Sequence, residues 1–147
     1  MSADLEYTCR SISEGVGEGE VVLSKDALCF ALVEAATGVV LEKGHDLEGR
    51  SVAGKVLVMP TGKGSSVVQA DGLYRLIIHE TAPTAVIIEQ PEPVLVSTII
   101  AMEVPLVDTV EAAFYDNVEE GDHVTVDAVA GRLVLRKAEV GHARETP

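Results

Sequence analysis

The alternation of apolar and polar positions divides the chain into two stretches of different character. In the first, three short apolar segments, Leu5 to Ile12, Gly19 to Ser24 and Ala27 to Val33, are separated by Gly15-Val16-Gly17 and Lys25-Asp26. They predict short strands with tight connections. A polar stretch from Thr37 to Arg50, punctuated by Gly38, Gly44 and Gly49, predicts an excursion over a sheet. From Gly54 onward the pattern changes to strand and helix in alternation. The run Lys55 to Met59, stopped by Pro60 and a glycine-rich turn, predicts a buried strand. Ala70, Leu73, Tyr74, Ile77 and Ile78 then recur at helical spacing and predict a helix with one apolar stripe, with Asp71, Arg75 and His79 on its polar face. Ala85 to Ile88 predicts a second strand, Pro93 to Met102 a short helix and Val104 to Val107 a third strand. In such a β-α-β-α-β unit the strands run parallel, and ligands gather where strand C-terminal ends meet helix N-termini. A hairpin, His123 to Ala128 and Leu133 to Lys137, closes the fold. The prediction is an α/β domain over residues 1–137, a β-rich layer packed on the β-α-β-α-β unit, with a loose tail over 138–147.

Composition supports strands over an all-helical bundle. Of 147 residues, 47% are hydrophobic and only 3% aromatic, and 23 are Val. Charge removes several functions. With 11 basic against 24 acidic residues the net charge is −13, there is no basic cluster, and the aromatics are not interleaved with Lys or Arg. Such a chain repels phosphate backbones, so nucleic-acid binding is not expected. No apolar run reaches the roughly 18 to 20 residues that span a bilayer. The N-terminus, Met1-Ser2-Ala3-Asp4, is acidic where a signal peptide is basic, and the chain reads as cytoplasmic. Cys9 and Cys29 are too few and too far apart for a metal site of their own and read as small hydrophobes.

Chemistry concentrates in Pro60-Thr61-Gly62-Lys63-Gly64-Ser65-Ser66, between the first buried strand and the amphipathic helix. Gly62 and Gly64 let the backbone approach a ligand, and a helix starting at Ser65 or Ser66 offers unpaired N–H groups and the positive end of its dipole. Such a site takes an anion, to which Lys63 adds a full charge. Ser66 with Gln69 fits a capping box, which leaves the Ser65 hydroxyl free. The P-loop pattern fails at two positions, since Leu57 stands where its first glycine belongs and Gly64 follows Lys63. No histidine stands at a spacing that would activate a serine. His45-Asp46 and His79 read as turn and helix-end residues, Glu89 and Glu92 as solvated loop acids at the ligand edge, and Glu103-Val104-Pro105 before the third strand with Asp108 after it as a subunit contact or another turn.

Lys55-Val-Leu-Val-Met-Pro-Thr-Gly-Lys-Gly-Ser-Ser66, preceded by Gly49-Arg-Ser-Val-Ala-Gly54, closely resembles the signature of the small subunit of aconitase X, the swivelling domain of that branch of the aconitase superfamily. Ala82 to Glu89 and Ile99 to Asp108 resemble that family's next two blocks, so the likeness covers roughly residues 5 to 137. The resemblance implies a swivelling β/β/α fold. It also implies a hydro-lyase subunit, inactive without a large subunit that carries the iron–sulfur cluster; this chain then needs no metal ligands of its own. The substrate it implies is a small carboxylate-bearing or phosphorylated hydroxy acid, such as cis-3-hydroxy-L-proline or mevalonate 5-phosphate. Ser65 matches the serine that takes a proton, as an alkoxide, from the carbon next to a carboxylate, and Gly62, Lys63, Gly64 and Ser66 are the candidates to bind substrate.

The chain departs from the family pattern twice. Aconitase proper has an Arg after the two serines where this chain has Val67. Archaeal relatives carry a Gly-Val-Asp-Pro type segment where this chain has Leu32 to Gly38, which tips the expectation slightly towards an amino-acid or hydroxy-acid substrate over phosphomevalonate. The competing readings are a non-catalytic small-anion-binding or regulatory protein of the same fold, and a phosphohistidine-type swivelling carrier. The carrier needs a histidine at the turn, where this chain has Ser65 and Ser66.

Overall fold

A computed structural model describes residues 4–138. Eight strands form one sheet in the order β1-β8-β7-β3-β4-β5-β6-β2. They are β1 (Leu5–Thr8), β2 (Arg10–Ser13), β3 (Val16–Leu23), β4 (Val56–Met59), β5 (Ala85–Ile88), β6 (Leu106–Asp108), β7 (His123–Asp127) and β8 (Arg132–Arg136). The helices are α1 (Ser66–Ile78), α2 (Pro93–Ala101) and α3 (Ala112–Asn117).

Two strands change partners and shape the sheet. In β3, Val16 to Glu20 pair antiparallel with β7, whereas Val21 to Leu23 pair parallel with β4. At the sheet's edges, β1 pairs with β8 and β2 with β6, yet only Cys9 separates β1 from β2 in the chain. One kinked strand therefore joins both edges, and the sheet folds over itself with no long free edge. The predicted β4-α1-β5-α2-β6 unit is present with parallel pairing throughout.

The parallel strands are buried on both faces, as their unbroken apolar runs require. Val56, Val58, Ala85, Ile87 and Val107 point inward to Val124, Val126, Leu133 and Leu135 of the antiparallel half and to Phe114 of α3. Leu57, Met59, Val86 and Ile88 point outward to Leu73, Leu76, Leu95 and Ile99 of the helices. The result is three layers, two of sheet and one of helix, with a hydrophobic core in each gap. Two buried acids are ion-paired: Lys137 Nζ lies 2.6 Å from Asp122 Oδ2, and Asp108, which does not follow its strand but ends it, has both oxygens gripped by Arg10 at 2.8 and 2.6 Å across the β2–β6 seam.

Three expectations about local structure need correction. Ala27 to Val33 is not a strand: Phe30–Leu32 form a 3-10 turn, and only isolated bridges at Leu28 and Val33 flank it. The strand expected from Gly19 begins earlier, at Val16. The apolar stripe of α1 is displaced by about one position, since the buried face is Gln69, Gly72, Leu73 and Leu76, whereas Tyr74 and Ile78 are 54% and 57% exposed. The cause is close packing against the 3-10 turn. A Cβ at Gly72 would lie 2.4 Å from the Ala31 backbone nitrogen, so only glycine admits that approach. Helix α3 had no counterpart among the expected elements. The tail expected over 138–147 lies outside the described residues but for Ala138, whose N–H donates to Asp122 Oδ1 at 2.8 Å.

Candidate functional site

The turn from Pro60 to Ser65 leaves the C-terminal end of β4 and enters α1. Proline ends the strand because it has no N–H to continue a ladder. Its carbonyl accepts from Glu89 and Gln90 N–H at 3.1 and 2.9 Å, which ties the turn to the end of β5. Gly62 is buried, bridged to Leu28, and has no room for a side chain: a Cβ would lie 2.6 Å from that of Leu95. Gly64 takes φ +111, a conformation that L side chains rarely adopt, over the sulfur of Cys29. That reversal places Ser65 at the tip of the turn. Lys63, Gly64, Ser65 and Ser66 are all exposed there, so four of the five candidate residues share one surface, and the fifth, Gly62, is buried beneath it.

Ser65, and not Ser66, is the N-cap of α1. Its backbone is extended at φ −76, ψ 164, its carbonyl accepts from Gln69 N–H at 2.9 Å, and its Oγ accepts from Val68 N–H at 3.4 Å. The expected capping box therefore does not form. Gln69 turns into the core instead, where Oε1 accepts from Phe30 N–H at 2.8 Å and Nε2 donates to the Leu28 carbonyl at 3.4 Å. A buried amide must satisfy its donors and acceptors internally, and here it does so by locking α1 onto the segment before the 3-10 turn. The Ser65 hydroxyl is not free, but its role suits base chemistry. It accepts one long hydrogen bond from a helix N-terminal N–H, which strengthens when the oxygen is negative, and its own proton remains available to donate. No acidic residue lies in the first turn of α1 to offset the dipole.

Lys63 has a partner that the sequence did not signal. Its Nζ lies 2.6 Å from Glu42 Oε2, in the excursion, and the other oxygen of Glu42 is buried without a hydrogen-bond partner. The cation is thus fixed beside the turn and partly neutralised there.

His45, His79, Glu92 and Glu103 hold local structure. His45 is buried; its Nδ1 accepts from Leu47 N–H at 2.9 Å, so Nε2 carries the proton and donates to the Ala27 carbonyl at 3.0 Å. His79 closes α1 through Nδ1 and the Arg75 carbonyl at 2.8 Å. Glu92 caps α2, accepting from Val94 and Leu95 N–H at 2.8 and 3.0 Å. Glu103 ends the turn after α2 with φ 60.

The cysteines do not suit an iron–sulfur cluster, which is held mainly by several thiolates. Cys9 sits at the β1–β2 kink, and burial, with Asp127 and Asp108 nearby, pushes its thiol up to about 11, away from the ligating form. Cys29 is buried under Gly64. Among the described residues no group of three His, Cys, Asp or Glu side chains could hold a metal ion, and no helix is long and apolar enough to cross a membrane.

The sequence profile of the aconitase X swivel domain matches residues 6–135. The chain is 40% identical over 142 residues to a phosphomevalonate dehydratase small subunit of Methanosarcina mazei, covering 96% of this chain and 98% of that one. It is 41% identical over 129 residues to the protein of the same name from Methanosarcina acetivorans, covering 87% and 89%. Its fold matches the crystal structure of Thermococcus kodakaraensis aconitase X in the holo form with a TM-score of 0.80 at 34% identity, over 90% of this chain and 99% of that one. Both relatives are named for phosphomevalonate, the substrate that the Leu32 to Gly38 departure had placed second in expectation for this chain. An aconitase-type family implies an iron–sulfur enzyme, and a small subunit implies a larger partner. With its profile matched across residues 6–135 and its β/β/α layers shared with a solved member, the chain belongs to the aconitase X swivel domain family.

Proposed function

We propose that this chain is the small subunit of an aconitase X-type hydro-lyase that dehydrates mevalonate 5-phosphate, and that Ser65 is the general base. The observation that carries the reading is the 40% identity with a phosphomevalonate dehydratase small subunit over 96% of the chain. The chemistry is compatible with the turn. Mevalonate 5-phosphate has a methylene next to its carboxylate and a hydroxyl on the following carbon. Ser65, as an alkoxide, takes a proton from that methylene; the C–H electron pair becomes the new C=C bond, and the C–O bond breaks with hydroxide departing.

A serine hydroxyl is a poor base in water, so the site must stabilise its anion. The N–H of Val68, the open positive end of α1 and the nearby Lys63 supply that stabilisation. The N–H groups at the start of α1, Lys63, the backbone of Gly62 and Gly64, and Ser66 bind the anionic substrate, in place of the arginine that Val67 replaces. The cluster, in this reading, belongs to the large subunit, as does the rest of the active site. Cytoplasmic location accords with such a metabolic role.

The test is reconstitution with the large subunit. The complex converts mevalonate 5-phosphate, neither subunit does so alone, and Ser65→Ala assembles normally while turnover falls by orders of magnitude. Normal turnover in that variant would falsify the role of Ser65. Conversion of cis-3-hydroxy-L-proline in preference to mevalonate 5-phosphate overturns the substrate.

A further inference from the structure

Beside the turn, the C-terminal ends of β3, β4 and β5 frame a cleft of about 460 Å³. Its floor is apolar, with Leu23, Val58, Val118 and the ring of Tyr115, and its rim carries Asp46, Glu89, Glu120, Lys25 and Arg50. The rim charges are not equivalent. Arg50 and Glu120 neutralise each other through paired contacts at 3.2 and 2.7 Å, and Asp46 accepts from the Lys25 backbone N–H at 2.8 Å. Glu89 is exposed and, among the described residues, no cation pairs with it. The Tyr115 hydroxyl is buried without a hydrogen-bond partner, a costly state for a polar group. The cleft adjoins the turn through one lining residue, Glu89, whose N–H donates to the carbonyl of Pro60.

An apolar floor, an orphan hydroxyl and, among the described residues, two carboxylates without a cation partner, Asp46 and Glu89, against the one unpaired cation Lys25 define a narrow chemistry of net negative charge. They suit a long side chain with an apolar stem and a cationic, hydrogen-bonding head. They do not suit a substrate whose ends are a carboxylate and a phosphate. The net charge of −13 adds long-range attraction for a basic protein surface. We propose that this cleft is a docking socket for an arginine or lysine side chain of the large subunit, with Glu89 pairing the cation and Tyr115 hydrogen-bonding it. The proposal rests on the subunit reading above and extends it by assigning the contact that seats the two subunits. It places the docking point one strand away from Ser65, so that seating the side chain also fixes the turn over the partner.

The experiment measures association of the whole chain with the large subunit by calorimetry, across a salt series. Wild type binds with a salt-dependent Kd. Glu89→Lys weakens binding by about 30-fold or more, and Glu89→Gln by about tenfold with a shallower salt slope, as for other close interfacial charge pairs. Tyr115→Phe weakens binding while the free chain melts at the wild-type temperature or above, because the hydroxyl it removes has no partner there. Unchanged affinity and salt slope in both Glu89 variants overturn the socket and leave the subunit reading standing. A raised KM with unchanged association also overturns it, in favour of a small cationic ligand. Failure of the wild-type chain to bind the large subunit at all overturns the subunit reading itself.

Discussion

Helices α1 and α2 start side by side on the same edge of the parallel sheet, yet their N-termini are finished in opposite ways. Glu92 folds a full carboxylate over α2, accepting from two backbone N–H groups at 2.8 and 3.0 Å, with Pro93 set in the first turn where a missing N–H costs nothing. The positive end of that helix is neutralised from within. Helix α1 has only the neutral hydroxyl of Ser65, one long contact of 3.4 Å, and no acid in its first turn. Its end stays electropositive and exposed, and Gly64 holds it out at φ +111. One terminus is complete as a structural element; the other, in the proposed reading, receives the anionic substrate.

The contrast breaks most severely at Ser65. In Ser65→Ala the reconstituted enzyme loses about 10²- to 10⁴-fold in turnover, the range for removing a general base. The folded chain loses only about 0.5 to 1 kcal/mol, the cost of a missing cap. Steady-state rates and urea denaturation separate the two effects. Ser65→Asp sharpens the comparison by giving α1 the kind of cap that α2 has. A carboxylate is as good an N-cap as a hydroxyl and adds up to about 1 kcal/mol through the dipole. Stability therefore holds or rises while turnover falls as far as in the alanine variant, since the base is gone and an anion now meets the substrate. A variant that keeps its turnover contradicts the view that the open end of α1 is the working one.

That contrast was only half legible in the sequence. The glycines around Lys63 and the change from strand period to helix period located the turn, because backbone freedom and periodicity are local properties. The partner of each polar group was not local. Gln69 at three residues from Ser66 mimics a capping box, but its amide is drawn into the core by two backbone groups near Phe30, about forty positions away in the chain. The same burial of Gln69 and Gly72 turned α1 and exposed Tyr74 and Ile78, which a count of apolar residues assigns to the inside. Glu42 lies in a stretch without periodicity, and nothing in its neighbours signals Lys63. The closure of the sheet through Cys9 was equally hidden, since β1 and β2 look like one strand and pair at opposite edges.

Lys63 offers a smaller break. The half-exposed pair with Glu42 contributes about 0 to 1 kcal/mol to stability, so Lys63→Met changes folding little. Substrate binding suffers more. The variant removes a cation and leaves the Glu42 carboxylate unpaired beside an anion site, so KM rises by about three- to tenfold, the scale of one exposed charge-assisted contact. Adding Glu42→Gln to Lys63→Met recovers part of that loss, because the repelling charge is gone. A KM that does not move in Lys63→Met means that Glu42 holds the lysine away from substrate, and the anion is then bound by backbone N–H groups and Ser66 alone.

The smallest effect on turnover belongs to the closed terminus. Glu92→Ala removes the acceptor of two N–H groups and the charge that offsets the dipole of α2, and it costs about 1 to 2 kcal/mol of stability, read from the denaturation midpoint. Leu95 and Ile99 anchor α2 in the core, so the helix stays in place and the neighbouring turn keeps its shape. Turnover and KM of the complex are then those of the wild type. The prediction is exacting because Gly62 packs against Leu95, one turn from the lost cap. If loosening the start of α2 reached the turn through that contact, KM would rise along with the loss of stability, and the two helix ends would have to be treated as one coupled unit.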